Sequence, residues 1–161
     1  MQKRIQTLCL ICKDRKILLG MKKRGFGIGR WNGFGGKLHE GETIEGAAMR
    51  ELKEEVCLEA QEISKRGILN FEFEDDSSLL EVHIYSIDKY VGVPKETEEM
   101  KPQWFSVDEI PFPNMWSDDI FWMPLFLAGK KFKGTFRFDK PSNVEYSAQI
   151  IRQELIEVDE L

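Results

Sequence analysis

Two glutamates on the buried side of a short helix constrain this chain more than any other feature. Gly36–Leu58 reads GKLHEGETIEGAAMRELKEEVCL, with acidic residues at Glu40, Glu42, Glu45 and Glu51 and then the pair Glu54–Glu55. The pattern predicts a helix from Thr43 to Cys57, with Thr43 as N-cap ahead of the apolar periodicity. At about 100° per residue, Ile44, Ala47, Ala48, Leu52 and Val56 share one side, and Glu51 and Glu55 project within about 20° of Ile44. A carboxylate aimed inward is costly unless it is paired or holds a cation. On most acidic helices such acids form a solvated face, but here Met49, Arg50 and Lys53 occupy the far side. Glu51, Glu54 and Glu55 stand at i, i+3 and i+4, a spacing from which all three can converge on one ion. The segment therefore reads as a divalent-metal site. Cys57 either ends the helix in the left-handed conformation or continues it with its thiol buried, and Val56 and Leu58 favour the second by burying the helix end.

Before this helix, Arg24–Gly36 reads RGFGIGRWNGFGG, a loop with unusual backbone torsions. A merely flexible connection does not need Phe26, Trp31, Asn32 and Phe34. Ile5–Cys12 and Ile17–Lys22 read as strands around the turn Lys13–Lys16. Gly67–Glu74 and Leu79–Tyr90 alternate like an antiparallel pair around Asp75–Ser78. Gln103–Ser106 is another strand, and Ser106–Glu109 resembles a capping box opening a short turn. Ser117–Lys130 reads as a second helix with Phe121, Pro124, Leu125 and Ala128 inward, and Phe132–Asp139 alternates again. The charged tail Gln149–Leu161 is a helix or a strand edge. No repeat or linker divides residues 1–161, so a single α+β domain is expected, its helices flanking a mostly antiparallel or mixed sheet.

A net charge of −5 without a basic run argues against a nucleic-acid polymer as partner, while a small anionic substrate remains open if metal ions neutralise it. Cys9, Cys12 and Cys57 are odd in number and lack metal-type spacing. Cys9 and Cys12 lie inside an apolar run, where both read as core thiols of a reducing compartment rather than a redox pair. The N-terminal apolar run is too short for a secretory signal or a membrane span. A cytoplasmic monomer with no membrane partner is expected, a nuclear or mitochondrial share being compatible with the same sequence.

Gly36, five residues, Glu42, seven residues and then Arg50-Glu51-Leu52-x-Glu54-Glu55 resembles the signature of the Nudix hydrolases. That pattern continues with Gly and an aliphatic residue; here Cys57 and Leu58 follow. Beyond this box, the chain looks like the branch of the family that acts on oxidised purine nucleoside triphosphates. The carrying stretches are GMKKRGFGIGRWNGFGGK at Gly20–Lys37, EVHIY at Glu81–Tyr85, EEMKPQWF at Glu98–Phe105, IPFPNMWSDDIFWMPL at Ile110–Leu125 and KKFKGTFRF at Lys130–Phe138. The resemblance implies an α/β/α sandwich and Mg²⁺-dependent hydrolysis, with Mn²⁺ as substitute, of 8-oxo-dGTP, 2-hydroxy-dATP or methylated purine nucleotides. The products would be the monophosphate and pyrophosphate, cleansing the nucleotide pool of mutagenic bases.

By that resemblance the metal is held by the Gly36 carbonyl with Glu51, Glu54, Glu55 and Glu99. Glu55 or Glu54 serves as general base, with Glu99 the rival, and Arg50 pairs with Glu42 to brace the loop. Asn32, Asp118 and Asp119 bind the base, Trp116 stacks on it, and Phe26, Phe71, Met100, Trp122 and Phe138 line the pocket. Thr7, Lys22, Phe34, Gly35, Gly36, Lys37 and Ser117 match further substrate-binding positions. The residue types suit the task, because adjacent carboxyls in a pocket titrate as a coupled pair and one is readily kept protonated. Asp118–Asp119 also reads as an ordinary acid pair at a helix N-terminus. Leu80 and Asn70 depart from the mammalian pattern of Met and an aliphatic residue, which leaves the balance among oxidised and alkylated purines open. A Nudix hydrolase of ADP-ribose, dinucleoside polyphosphates or capped RNA would share the metal helix but not Asn32, Trp116 and Asp118–Asp119. A non-catalytic nucleotide-binding module would usually lose box carboxylates, and all are present.

Overall fold

The computed structural model describes residues 2–74, 76–140 and 148–161. In chain order they form β1 (Gln2–Lys13), β2 (Lys16–Lys22), β3 (Trp31–Asn32), α1 (Ile44–Val56), β4 (Glu59–Phe73), β5 (Asp76–Val91), β6 (Met100–Ser106), α2 (Asp119–Leu127), β7 (Lys131–Phe138) and β8 (Ile150–Val158). A 3₁₀ turn at Phe112–Asn114 leads towards α2. The strands join in the order β3-β2-β1-β5-β4-β7-β8, and β6 pairs with β2.

The sheet is mixed, with β1–β5 and β4–β7 parallel and the other neighbours antiparallel, and β1 changes partner along its length. Gln2–Leu10 runs parallel to β5, whereas Ile11–Lys13 turns back antiparallel onto β2. Asp14 and Arg15 close that hairpin with φ of 52° and 59°, the left-handed pair that a two-residue type I′ turn needs. Alternation along β1 then builds two cores. Cys9 and Ile11 pack with Phe34, Ala48, Leu52 and Val56 under α1. Leu10 packs on the opposite side with Leu69, Ile84, Trp122 and Phe126. The result is a sheet between two helices, an α+β sandwich.

Helix α1 begins as expected: Thr43 Oγ1 accepts the Gly46 N–H at 3.0 Å. Its end differs. Cys57 adopts φ 63°, ψ 26° and stops the helix in the left-handed conformation, with its thiol exposed rather than buried. Lys95 N–H caps the Val56 carbonyl at 3.1 Å, and Thr97 Oγ1 caps that of Glu55 at 2.8 Å. Cys12 is also exposed, because the strand pleat turns it away from the face that Ile11 occupies.

The second helix is shorter than Ser117–Lys130 and rotated from the expected phase. Trp122, Met123 and Phe126 face inward with Asp119, while Phe121 is 44% exposed. Its sequence, DIFWMPLFL, has almost no polar side to set the phase. Strand β4 starts at Glu59, before the expected Gly67, through a polar stretch whose pairing with β5 is interrupted by bulges. Of the turn expected at Asp75–Ser78, Asp75 lies outside the described residues, and β5 already begins at Asp76. The tail is a strand, pairing antiparallel with β7 at the end of the sheet. Among the described residues no helix is long and apolar enough to cross a membrane.

Candidate active site

Arg50 is the hub between α1 and the loop before it. Its guanidinium donates to Glu42 at 2.7 and 3.0 Å, to Glu51 at 2.8 Å, to Glu54 at 3.2 Å and to the Lys37 carbonyl at 3.0 Å. A planar fork with five donors suits this arrangement as a point charge would not. The guanidinium holds the Glu42 carboxyl down at about 2. Glu42 in turn accepts the His39 N–H at 2.9 Å, so the bend before α1 is fixed from both sides.

Glu55 is buried and accepts the Gly35 N–H at 2.7 Å. Burial pushes its carboxyl up to about 8; the Gly35 N–H and Lys22 pull it back, while the nearby charges of Glu51 and Glu99 raise it. Glu51 stands against Gly36, where a Cβ would lie 2.6 Å from its carboxyl. Gly36 O in turn accepts the Thr7 N–H at 2.9 Å. Among the described residues, no three His, Cys, Asp or Glu side chains are gathered closely enough to hold one ion, so the expected convergence of Glu51, Glu54 and Glu55 is not preformed. The cause is local. Arg50 draws Glu51 and Glu54 to itself, Glu54 is exposed, and Glu55 turns to the loop amide.

Thr97 was not anticipated from sequence. Its hydroxyl donates to the Glu55 carbonyl and accepts the N–H groups of Glu99 and Met100 at 3.3 Å each. One side chain thus ties the end of the acidic helix to the segment carrying Glu99. A hydroxyl two residues before Glu99 is a local turn signal that could have marked it.

Beside this acidic end lies a cavity of ≈ 650 Å³. It brings together Glu51, Glu55 and Glu99 with Thr7, Lys22, Gly35, Gly36 and Lys37, and with Phe26, Asn32, Phe71, Met100, Trp116, Ser117, Asp118, Asp119, Trp122 and Phe138. Glu54, Arg50 and Phe34 do not line it. Phe34 is core: its backbone pairs with Cys9 and its ring is fully buried beneath α1. Its neighbours in a glycine-rich loop suggested a pocket, but the bridge to β1 turns the side chain the other way.

Asp118 and Asp119 are both buried. Trp122 Nε1 donates to Asp118 Oδ2 at 2.8 Å, and a hydrogen bond joins the two carboxyls. Burial raises the Asp118 carboxyl. Asp119 is raised well above the usual range by burial, by the charge of Asp118 and by the bond between them. Asp119 Oδ2 is buried with no hydrogen-bond partner among the described residues. Asn32 Oδ1 accepts the Gly33 N–H at 2.8 Å, which fixes which end of its amide is the oxygen. The indole of Trp116 stacks on Phe26, ring centroids 5.1 Å apart and 24° between planes, too close to admit a third ring. Arg30, also missed in the sequence, lines the same cavity, as do Gln6 and Leu8.

A family model, the NUDIX domain, matches residues 2–126. The chain is 53% identical over 145 residues to a Mus musculus protein named oxidized purine nucleoside triphosphate hydrolase, covering 89% of this chain and 93% of that protein. A Danio rerio protein of the same name is 53% identical over 135 residues, covering 84% and 86%. The fold is similar to that of a MutT mutator protein from Bacillus halodurans, with a TM-score of 0.79 at 23% identity over 94% of this chain and 97% of that one.

Proposed function

The chain belongs to the Nudix family, and from that premise we propose that it hydrolyses oxidised purine nucleoside triphosphates, 8-oxo-dGTP and 2-hydroxy-dATP among them, to the monophosphate and pyrophosphate. The observation that carries the substrate is the buried pair Asp118–Asp119, with an unpaired carboxyl oxygen in a cavity that also holds Asn32. A protonated carboxyl donates where an ionised one accepts, so the pair can meet either polarity of an altered purine edge. A purine gains the face of Trp116 by displacing Phe26, which is half-exposed on its glycine loop.

At the other end the residues fit a divalent cation, which Nudix hydrolases generally use. Glu55 is a buried carboxylate whose proton is held partly by the charges of Glu51 and Glu99, a repulsion that a cation relieves. The Gly36 carbonyl and Glu51, Glu54, Glu55 and Glu99 supply hard oxygen donors, which suit Mg²⁺, or Mn²⁺ in its place. Bound there, the ion would neutralise phosphate charge and lower the pKa of the attacking water. Glu55, buried against the loop amide of Gly35, is our candidate to take the proton from that water. Arg50 keeps α1 and the loop in register, and Lys22 and Lys37 offset phosphate charge from the cavity wall. Such an enzyme, monomeric and cytoplasmic, would remove damaged nucleotides before a polymerase uses them.

The test is a panel of nucleotides with Mg²⁺, scoring pyrophosphate against orthophosphate release. Oxidised purine triphosphates should turn over well above dGTP and dATP, yield pyrophosphate, and stop when the metal is chelated. A preference for ADP-ribose over every purine triphosphate would overturn the substrate, and full activity in chelator would overturn the mechanism.

A further inference from the structure

Arg30 is distant in sequence from the residues around the acid pair, yet its side chain makes two contacts with them. Its backbone closes the glycine loop, with Arg30 N–H on the Gly27 carbonyl at 3.0 Å and Lys22 N–H on the Arg30 carbonyl at 3.0 Å. Its guanidinium lies over the Trp116 ring, 4.9 Å from Cζ to the centroid. One of its terminal nitrogens donates to the Met115 carbonyl, just before Trp116. A planar cation both stacks on an indole and forks onto a carbonyl, which a Lys ammonium cannot do in the same pose.

We propose that Arg30 is the positioning residue for base discrimination, holding Trp116 and, through it, the Asp118–Asp119 pair as one reading unit. The inference rests on the purine reading above. Among the described residues, the groups that act on Asp119 are Asp118 and Trp122 from the start of α2 and Arg30 from the glycine loop. Those acting on Asp118 are Trp122, Asp119 and its own backbone. Burial raises both carboxyls, and taken alone it works towards a second proton, which would leave donors only. The positive charge of Arg30 opposes the second proton, so one acceptor survives beside one donor. The guanidinium covers part of the indole at the same time, so that the stacking face and the hydrogen-bonding edge move together.

The experiment compares wild type with Arg30→Met and Arg30→Lys for kcat and KM against 8-oxo-dGTP and dGTP from pH 5 to 9, with Mg²⁺ saturating. Arg30→Met should raise KM for 8-oxo-dGTP roughly tenfold while leaving kcat within about twofold, shrinking the preference over dGTP. The acid limb of its kcat/KM profile should move to higher pH by on the order of one unit, since the pair is then doubly protonated over a wider range. Arg30→Lys restores the charge without the planar fork, so it should return the pH profile and leave KM raised. Should Arg30→Met fail to fold, Arg30→Lys still decides, because a wild-type KM there overturns the proposal. Unchanged preference and pH profile in Arg30→Met would overturn it too, as would an equal loss on both nucleotides with an unmoved profile, which is the mark of a merely structural residue. Failure of the substrate reading is distinct, because it appears in wild type as no preference for 8-oxo-dGTP at all.

Discussion

Replacing Cys57 by glycine should stabilise the protein. The residue sits at φ 63°, ψ 26°, where a Cβ crowds the following carbonyl at about 1–2 kcal/mol for an L-residue. Glycine removes that strain but gives about 0.4–1 kcal/mol back through a more flexible unfolded chain. The thiol is exposed, so no core contact is lost, and the Cys57 N–H bond to the Lys53 carbonyl at 3.0 Å is a backbone bond that glycine keeps. The net gain is about 0.5–1 kcal/mol, worth about 1–4 °C in Tm for a chain of this length. Thermal unfolding under reductant measures it, with Cys57→Ala as control. Alanine keeps the Cβ and should melt near wild type. A lower Tm for Cys57→Gly, or equal shifts for glycine and alanine, would refute the left-handed strain as the operative term and return the thiol to the core.

Glu55→Gln keeps the bond from Gly35 and removes the ionisable group, so it should cut kcat by roughly 10²–10⁴-fold with the fold intact. Because the folded Glu55 carboxyl is raised from 4.5 to about 8, its contribution to stability is fully present below pH 4.5 and is lost as pH rises through about 8. In chelator, wild type should therefore lose on the order of a few kcal/mol across that window relative to Glu55→Gln, and parallel pH profiles of Tm would contradict the buried charge. Arg50→Lys cannot span Glu42, Glu51 and Lys37 together, so it should cost about 1–3 kcal/mol in denaturant titration and depress kcat; wild-type values for both would remove Arg50 as the brace. Asp119→Asn freezes one member of the pair as a neutral amide and should damage one oxidised purine more than the other, by about 1–3 kcal/mol in kcat/KM. Equal loss on every nucleotide would mean that Asp119 only holds the fold.

The parts of this protein that were legible in the sequence are those where local pattern and tertiary role coincide. Thr43 caps α1 because the hydroxyl needs only its own first turn, and Ala48, Leu52 and Val56 reach the core because one apolar stripe had one sheet to meet. Arg50 could be matched to Glu42 because the helix fixes the distance between the loop and its second turn. Helix α2 offered no such contrast. With apolar residues on all sides, its phase is set by the bond from Trp122 to Asp118 and by burial of Asp119, neither of which a periodicity contains. Phe34 failed for a related reason, since an aromatic in a glycine loop shows no side until Cys9 pairs with it. Glu51, Glu54 and Glu55 do not converge as their spacing suggested, because spacing did not reveal that Arg50 competes for Glu51 and Glu54. Arg30 and the bond from Thr97 to the Glu55 carbonyl involve partners far away in the chain, and single-residue patterns are blind to that.

The loop that carries Gly33, Gly35 and Gly36 lies against its neighbours with no slack. A Cβ at Gly33 would come within 2.6 Å of the Cys9 carbonyl, one at Gly35 would run into the Thr7 carbonyl, and one at Gly36 would strike the Glu51 carboxyl. Main chain thus closes part of the cavity beside Glu51 and Thr7, and main chain offers nothing to exchange. Elsewhere the cavity is lined by side chains such as Trp116, Phe71, Leu80 and Gln6, which unlike main chain can be exchanged. A library aimed at new substrates divides accordingly. Randomising the glycines samples misfolded chains, whereas randomising the far wall samples specificities on an unaltered hydrolytic floor. The protein is modular at the scale of one cavity, and the seam runs between Gly36 and Asn32.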